Sequence, residues 1–187
     1  MKSVLSRNPK IKLKLYFFGS QQKLTELILT NNIHINITGY LLKPLVSLEK
    51  LSLNKCNITK IESNWFDSMR NLVVVDLSTN KIANIPENTF SGANVIESLN
   101  LANNELTTLN SRSFGSLQKL TSLTVENNLI DEIDHFLISQ ATELLTANFQ
   151  SNECVNFNTD TFILNRSSYI DAMKDCFNHF DKIPIGK

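Results

Sequence analysis

The sequence predicts an α/β solenoid: a horseshoe of short stacked repeats with a parallel concave β-sheet, short helical or 3₁₀ segments on the convex side and a C-terminal capping helix. Three observations predict it. Stepping by 24 residues from Asn80 gives Asn8, Asn32, Cys56, Asn80, Asn104, Asn128 and Asn152. Apolar columns keep the same phase: a first leucine at Leu24, Leu48, Leu72, Ile96, Leu120 and Leu144, and a third at Leu5, Leu29, Leu53, Leu77, Leu101, Val125 and Phe149. Two more columns follow, at Leu13, Ile37, Ile61, Ile85, Leu109, Ile133 and Phe157, and at Phe18, Leu42, Phe66, Phe90, Phe114, Ile138 and Phe162. A fixed period of this length marks a repeat architecture.

The spacing dictates the local chemistry of a rung. In Leu-x-x-Leu-x-Leu the last three positions alternate, so two leucines point to one face of a short strand and the residue between them to the other. Stacked strands at about 4.8 Å make a parallel sheet, and the core becomes a column that no single rung can bury alone. The asparagine follows the strand where the backbone turns away, and its amide satisfies backbone groups that would otherwise be buried unpaired. Cys56 replaces it once, as a small buried substitute.

In chain order, Leu5 to Phe18 is an incomplete first rung. Residues 18–27 and 114–123 nearly duplicate one another, Phe-Gly-Ser-Gln-Gln-Lys-Leu-Thr-Glu-Leu against Phe-Gly-Ser-Leu-Gln-Lys-Leu-Thr-Ser-Leu. The rung from Leu24 is the least regular, since His34 stands in a column held elsewhere by Ile58, Ile82, Leu106 and Ile130. A shifted, partly exposed histidine is expected there. From Leu48 to Leu117 the rungs are regular, and Ile85-Pro86 predicts a short helical or 3₁₀ start on the convex side, where proline suits a first turn. Leu120 to Ile138 keeps the columns. The last rung, Leu144 to Phe162, carries Ala147, Phe149, Cys154 and Phe157, as befits a rung facing a cap. Ser168 to Asp171 reads as an N-cap with an acidic third position, and Ile170, Met173 and Phe177 recur at helical spacing, predicting a capping helix over Ser168 to Asn178 and a tail from Asp181. Repeats therefore occupy 1–162, about seven rungs, and cap and tail 163–187.

Lysine plus arginine and aspartate plus glutamate number 18 each. That balance argues against a nucleic-acid binder or a polybasic membrane surface. No apolar run is long enough to span a bilayer. Met1 to Lys14 holds no signal-peptide core, yet Leu5, Asn8 and Leu13 already sit in repeat positions. The expectation is a chain whose upstream repeats, cap and signal peptide are missing; the alternative is an irregular cap over Lys2 to Lys14. No catalytic group is expected. His34, His135 and His179 fall on different rungs without metal-ligand spacing, five glycines make no phosphate loop, and no nucleophile elbow appears. No cofactor is expected.

Cys154 and Cys176 flank the segment where the repeat gives way, and a disulfide is expected between them. It would close a loop of about 20 residues, stabilise by roughly 3 kcal/mol and imply an oxidising compartment. Two reduced thiols in a cytosolic scaffold are the alternative. Sequons at Asn36, Asn57 and Asn165 permit glycan. With 24 asparagines and 32 serines plus threonines among 187 residues, chance alone gives roughly four such motifs, so three is no excess.

The repeat Leu-x-x-Leu-x-Leu-x-x-Asn-x-Ile-x-x-Ile-x-x-x-x-Phe-x-x-Leu resembles the 24-residue class of extracellular leucine-rich repeats found in Toll-type receptors, slit, chaoptin and the mosquito leucine-rich immune proteins. The Asn152-Glu153-Cys154 and Cys176-Phe177 end is similar to the two-cysteine ends of insect secreted members, and the four-cysteine flank of Toll-type receptors is absent. This resemblance implies an extracellular, secreted or cell-surface recognition protein acting in innate immunity, receptor signalling or cell adhesion, with a protein or microbial-surface ligand as partner. The alternative is an intracellular scaffold or adaptor. Ligand contacts are expected on the concave face, at Ile28, Ser52, Lys55, Asp76, Ser78, Asn100, Asn103, Thr124, Glu126 and Asn148. An exposed first rung would also be a surface for a dimer. The face carries little of the Tyr, Trp and Arg that dominate hot spots, so a partner bound at a lateral edge or an end is an equal alternative.

Overall fold

A computed structural model describes residues 2–4, 18–162 and 164–177. Leu5, Asn8 and Leu13 of the expected first rung, His179 and the expected tail lie outside the described residues. Seven strands stack in parallel: β1 (Lys2–Val4), β2 (Glu26–Ile28), β3 (Lys50–Ser52), β4 (Val74–Asp76), β5 (Ser98–Asn100), then β7 (Ser122–Thr124) and β9 (Thr146–Asn148). The register pairs Lys2 with Glu26, Glu26 with Lys50, Lys50 with Val74, Val74 with Ser98, Ser98 with Ser122 and Ser122 with Thr146, one repeat per step. The intervening β6 (Thr108–Leu109) and β8 (Glu132–Ile133) form a separate two-stranded parallel sheet.

The strands β2, β3, β4, β5, β7 and β9 turn their middle residue inward. Leu27, Leu51, Val75, Leu99, Leu123 and Ala147 are buried while their neighbours stay partly or largely exposed, and a fully buried aliphatic side chain is worth about 2 kcal/mol. The fourth apolar column, Phe18, Leu42, Phe66, Phe90, Phe114, Ile138 and Phe162, is buried throughout. Phe66 and Phe90 stack with centroids 4.7 Å apart and Phe90 and Phe114 at 5.5 Å, with planes inclined by 10° and 7°.

The asparagine column stitches repeats together. Asn80 Oδ1 accepts from the Cys56 and Ile58 amides, each at 3.0 Å, while its Nδ2 donates to Leu53 O at 3.0 Å and Leu77 O at 2.8 Å. Asn104 serves Ile82, Leu77 and Leu101 in the same way, Asn128 serves Leu106, Leu101 and Val125, and Asn152 serves Ile130, Val125 and Phe149. Cys56 keeps the donor half of this role, its thiol reaching Leu29 O at 3.1 Å. A thiol has no carbonyl oxygen to offer the preceding repeat. There the chain closes a tight turn of its own, Ile35 N to Asn32 O at 3.0 Å, and Ile35 takes the core position while His34 is exposed. The one-residue shift explains the irregular rung.

The residue before each asparagine-column position is left-handed: Asn31, Lys55, Thr79, Asn103, Asn127 and Ser151 have φ between 53° and 61°. Opposite the strands lie α1 (Gly39–Leu42), α2 (Ser111–Phe114) and α3 (His135–Gln140), with Thr38, Asn110 and Asp134 as side-chain N-caps. The segment after Pro86 is a run of turns and not the helical piece its proline predicts, because Asn88 adopts φ 62° and a left-handed residue ends helical propagation.

Past Asn152 the chain also departs from the expected regular rung. β10 (Asn158–Thr159) folds back antiparallel on β9, with Phe149 N donating to Phe157 O at 2.7 Å. The chain then enters α4 (Arg166–Ala172) and α5 (Lys174–Phe177). Helix therefore starts before the expected Ser168 cap, Asn165 occupies the N-cap position without a side-chain cap bond, and the helix breaks at Met173. Arg166 accounts for the early start: its guanidinium donates to Ala141 O at 2.7 Å and to Ile138 O and lies over the Phe162 ring. Tyr169 stacks on Phe157 and Phe162 and donates to Thr159 Oγ1 at 2.8 Å. Met173, Cys176 and Phe177 are buried, and a Cys154–Cys176 disulfide closes the segment.

Candidate ligand-binding face

Because the middle residues of β2, β3, β4, β5, β7 and β9 point inward, two columns share the outer strand face. One is Ile28, Ser52, Asp76, Asn100, Thr124 and Asn148, all partly exposed. The other is Glu26, Lys50, Val74, Ser98, Ser122 and Thr146, none of them among the ten expected contacts. Strict period-two alternation was the signal that could have found them. The second column is charged at its start, where Lys2 and Glu26 pair at 2.8 Å, and carries hydroxyls from Ser98 onward.

The acidic and amide side chains of the first column fold back on their own strands. Asp76 Oδ1 accepts from the Ser78 amide at 3.0 Å and the Ser78 hydroxyl at 2.7 Å, Asn100 Oδ1 from the Ala102 amide at 3.0 Å, and Asn148 Oδ1 from the Gln150 amide at 3.1 Å. These are side-chain turns closed two residues on. Asn148 also donates to Glu126 Oε2, and Thr30 and Ser52 share a hydroxyl contact at 3.2 Å. Asn54 differs from the rest. Its Oδ1 is buried and has no hydrogen-bond partner among the described residues.

Ser78, one of the expected contacts, is buried, and its hydroxyl donates to Asp76 Oδ1. Lys55 and Asn103 are exposed but sit at the left-handed turn beyond the strands, at the margin of the face. Asn36, Asn57 and Asn165 are all exposed and lie off the strand columns.

Chemistry elsewhere is sparse. Among the described residues no cluster of three His, Cys, Asp or Glu side chains could hold a metal ion, and no helix is long and apolar enough to cross a membrane. Cys56 is a free buried thiol whose pKa is raised above its ordinary 9.0, burial being the largest cause.

A comparison with characterised proteins returns no match. The leucine rich repeat family model matches residues 46–106 and 70–130, the stretch that holds β3, β4, β5 and β7, with Cys56 and then Asn80, Asn104 and Asn128 in the asparagine column. Repeats of this family generally mediate protein–protein interaction and are generally non-enzymatic. Over residues 46–130 the chain is thus similar to the leucine rich repeat family, and the stacked strands and the asparagine ladder carry the same 24-residue register on through Asn152.

Proposed function

We propose that this protein is a non-catalytic extracellular recognition module that holds a protein or microbial-surface ligand against its strand face, in innate immunity, receptor signalling or cell adhesion. The observation that carries the reading is the state of that face. Asp76, Asn100 and Asn148 are already locked by bonds to their own backbone, so holding a ligand at these positions costs little side-chain entropy. In this reading the sheet is the concave side of a horseshoe, and α4 with α5 caps the last repeat. The Cys154–Cys176 disulfide supports an oxidising compartment.

The test places a photo-crosslinking residue at Ser52 or Asn100, with Asn88 on the opposite side as control, in chains presented to intact cells and to secreted fluids. Crosslinks from the strand-face positions that Asn88 does not give are the expected result. Equal yields from all three, or yields from Asn88 alone, sink the assignment of the face. A non-reducing peptide map of the natural protein from its source tissue tests the compartment: free thiols at Cys154 and Cys176 would replace the extracellular reading with the scaffold.

A further inference from the structure

We propose that Asn57 carries an N-linked oligosaccharide that lies between two hollows on the flank beside the strand face, covering Ile33 and leaving the strand columns open. The proposal rests on the extracellular reading above. Asn57 begins the sequon Asn57-Ile58-Thr59, is exposed, and sits in a left-handed turn at φ 55°. Its side-chain amide makes no hydrogen bond among the described residues, so attachment breaks none. Asn165 is different. Its Nδ2 contacts Thr161 Oγ1 at 3.4 Å, and it occupies the N-cap position of α4.

The two hollows give the sugar a bed. One, of about 230 Å³, is lined by Asn36, Thr38, Asn57, Thr59, Lys60 and Glu62, a hydrogen-bonding surface suited to sugar hydroxyls. The other, of about 360 Å³, is lined by Ile33, Lys55, Asn57 and Lys81. Ile33 is 51 % exposed, a bare apolar side chain on which the face of a pyranose ring and its acetyl methyl pack. Asn57 borders both hollows and Asn36 only the first, so the geometry assigns this bed to Asn57. Lys55 lines the apolar hollow too. A sugar seated there removes Lys55 from the ligand-facing set and leaves Ser52, Asp76 and Asn100 accessible.

The attachment is a glycosyl transfer from a lipid-diphosphate-linked oligosaccharide, the donor of the secretory pathway. The Asn57 amide nitrogen bonds to the anomeric carbon of the reducing-end sugar as that carbon's bond to the diphosphate oxygen breaks. The lipid diphosphate leaves, the amide loses one proton, and nothing is oxidised or reduced.

The test expresses the full chain behind a cleavable leader in secreting animal cells, together with Asn36→Gln, Asn57→Gln and Asn165→Gln. Glycopeptide mass spectrometry reads occupancy, and hydroxyl-radical footprinting reads Ile33 before and after enzymatic release of the glycan. Occupied Asn57, one oligosaccharide lost in Asn57→Gln, and at least a two-fold rise in Ile33 oxidation on release are expected. A bare Asn57 in folded, secreted chain overturns the proposal, and so does an occupied Asn57 with Ile33 oxidation unchanged on release. The leader forces entry to the secretory pathway, so these outcomes judge the site, while the peptide map of the natural protein judges the compartment.

Discussion

Replacing Asn80 is the sharpest test of what holds the repeats in register. Its amide pairs the Cys56 and Ile58 N–H groups and the Leu53 and Leu77 carbonyls, and Asn80 itself is buried. Asn80→Ala leaves four backbone groups without that partner, and at about 1 kcal/mol for each the loss comes to about 4 kcal/mol. That is a large part of the 5–15 kcal/mol expected of a domain. Asn80→Cys retains a donor, as Cys56 does toward Leu29 O, and gives up the two acceptor bonds, so its loss should be about 2 kcal/mol. Urea unfolding followed through Trp65, the single tryptophan and a buried one, reads both variants from the preceding repeat. The reasoning is refuted if alanine costs under about 1 kcal/mol, or if cysteine and alanine cost the same.

Thr79 is β-branched and held at φ 56°, where an L-residue pays roughly 1–2 kcal/mol that asparagine largely escapes; Thr79→Asn should raise the urea midpoint by an equivalent of about 0.5–1 kcal/mol. Phe90 stacks on Phe66 and Phe114, and Phe90→Ala should cost about 4 kcal/mol, seen as a lower melting temperature by circular dichroism. Cys176→Ser opens a 22-residue separation and should cost about 3 kcal/mol, and reductant should lower the wild-type melting temperature while leaving the variant's unchanged. Cys56 should resist iodoacetamide in the folded chain at neutral pH and react on unfolding. Its raised pKa favours the thiol in the folded state, so its contribution to stability is full below pH 9.0 and declines as pH rises from there toward the folded pKa. Rapid labelling of native protein would refute that account.

The asparagine column, the four apolar columns and the alternation within each strand were legible because they are periodic, and a stack forces periodicity on its core. What was not legible depends on single substitutions or on the end of the stack. Cys56 could be read as a small replacement, but that its missing carbonyl lets Ile35 displace His34 follows only from the hydrogen bonds. Pro86 suggested a helical start, and the left-handed Asn88 two residues on prevents it. Beyond Asn152 no further repeat dictates the backbone, and the antiparallel return of β10 rests on Phe157 and Tyr169 packing that no period announces. On the strand face the outward columns were readable from alternation. The capture of Ser78 by Asp76 was not, because the same two-residue spacing also describes two free side chains.

The asparagine bonds also have a direction. Asn80 completes the backbone of the repeat before it, Asn104 that of Asn80's, and Asn128 that of Asn104's. A repeat is thus grammatical only when followed by one that carries the amide, and any excision or duplication of a whole 24-residue block between two asparagines leaves every sentence finished. The near-identical segments at 18–27 and 114–123 stand in the same phase of the repeat, as whole-block copying requires. Copying blocks can therefore adjust the length of the strand face, with the cost of error concentrated where a copied block arrives with cysteine in place of asparagine.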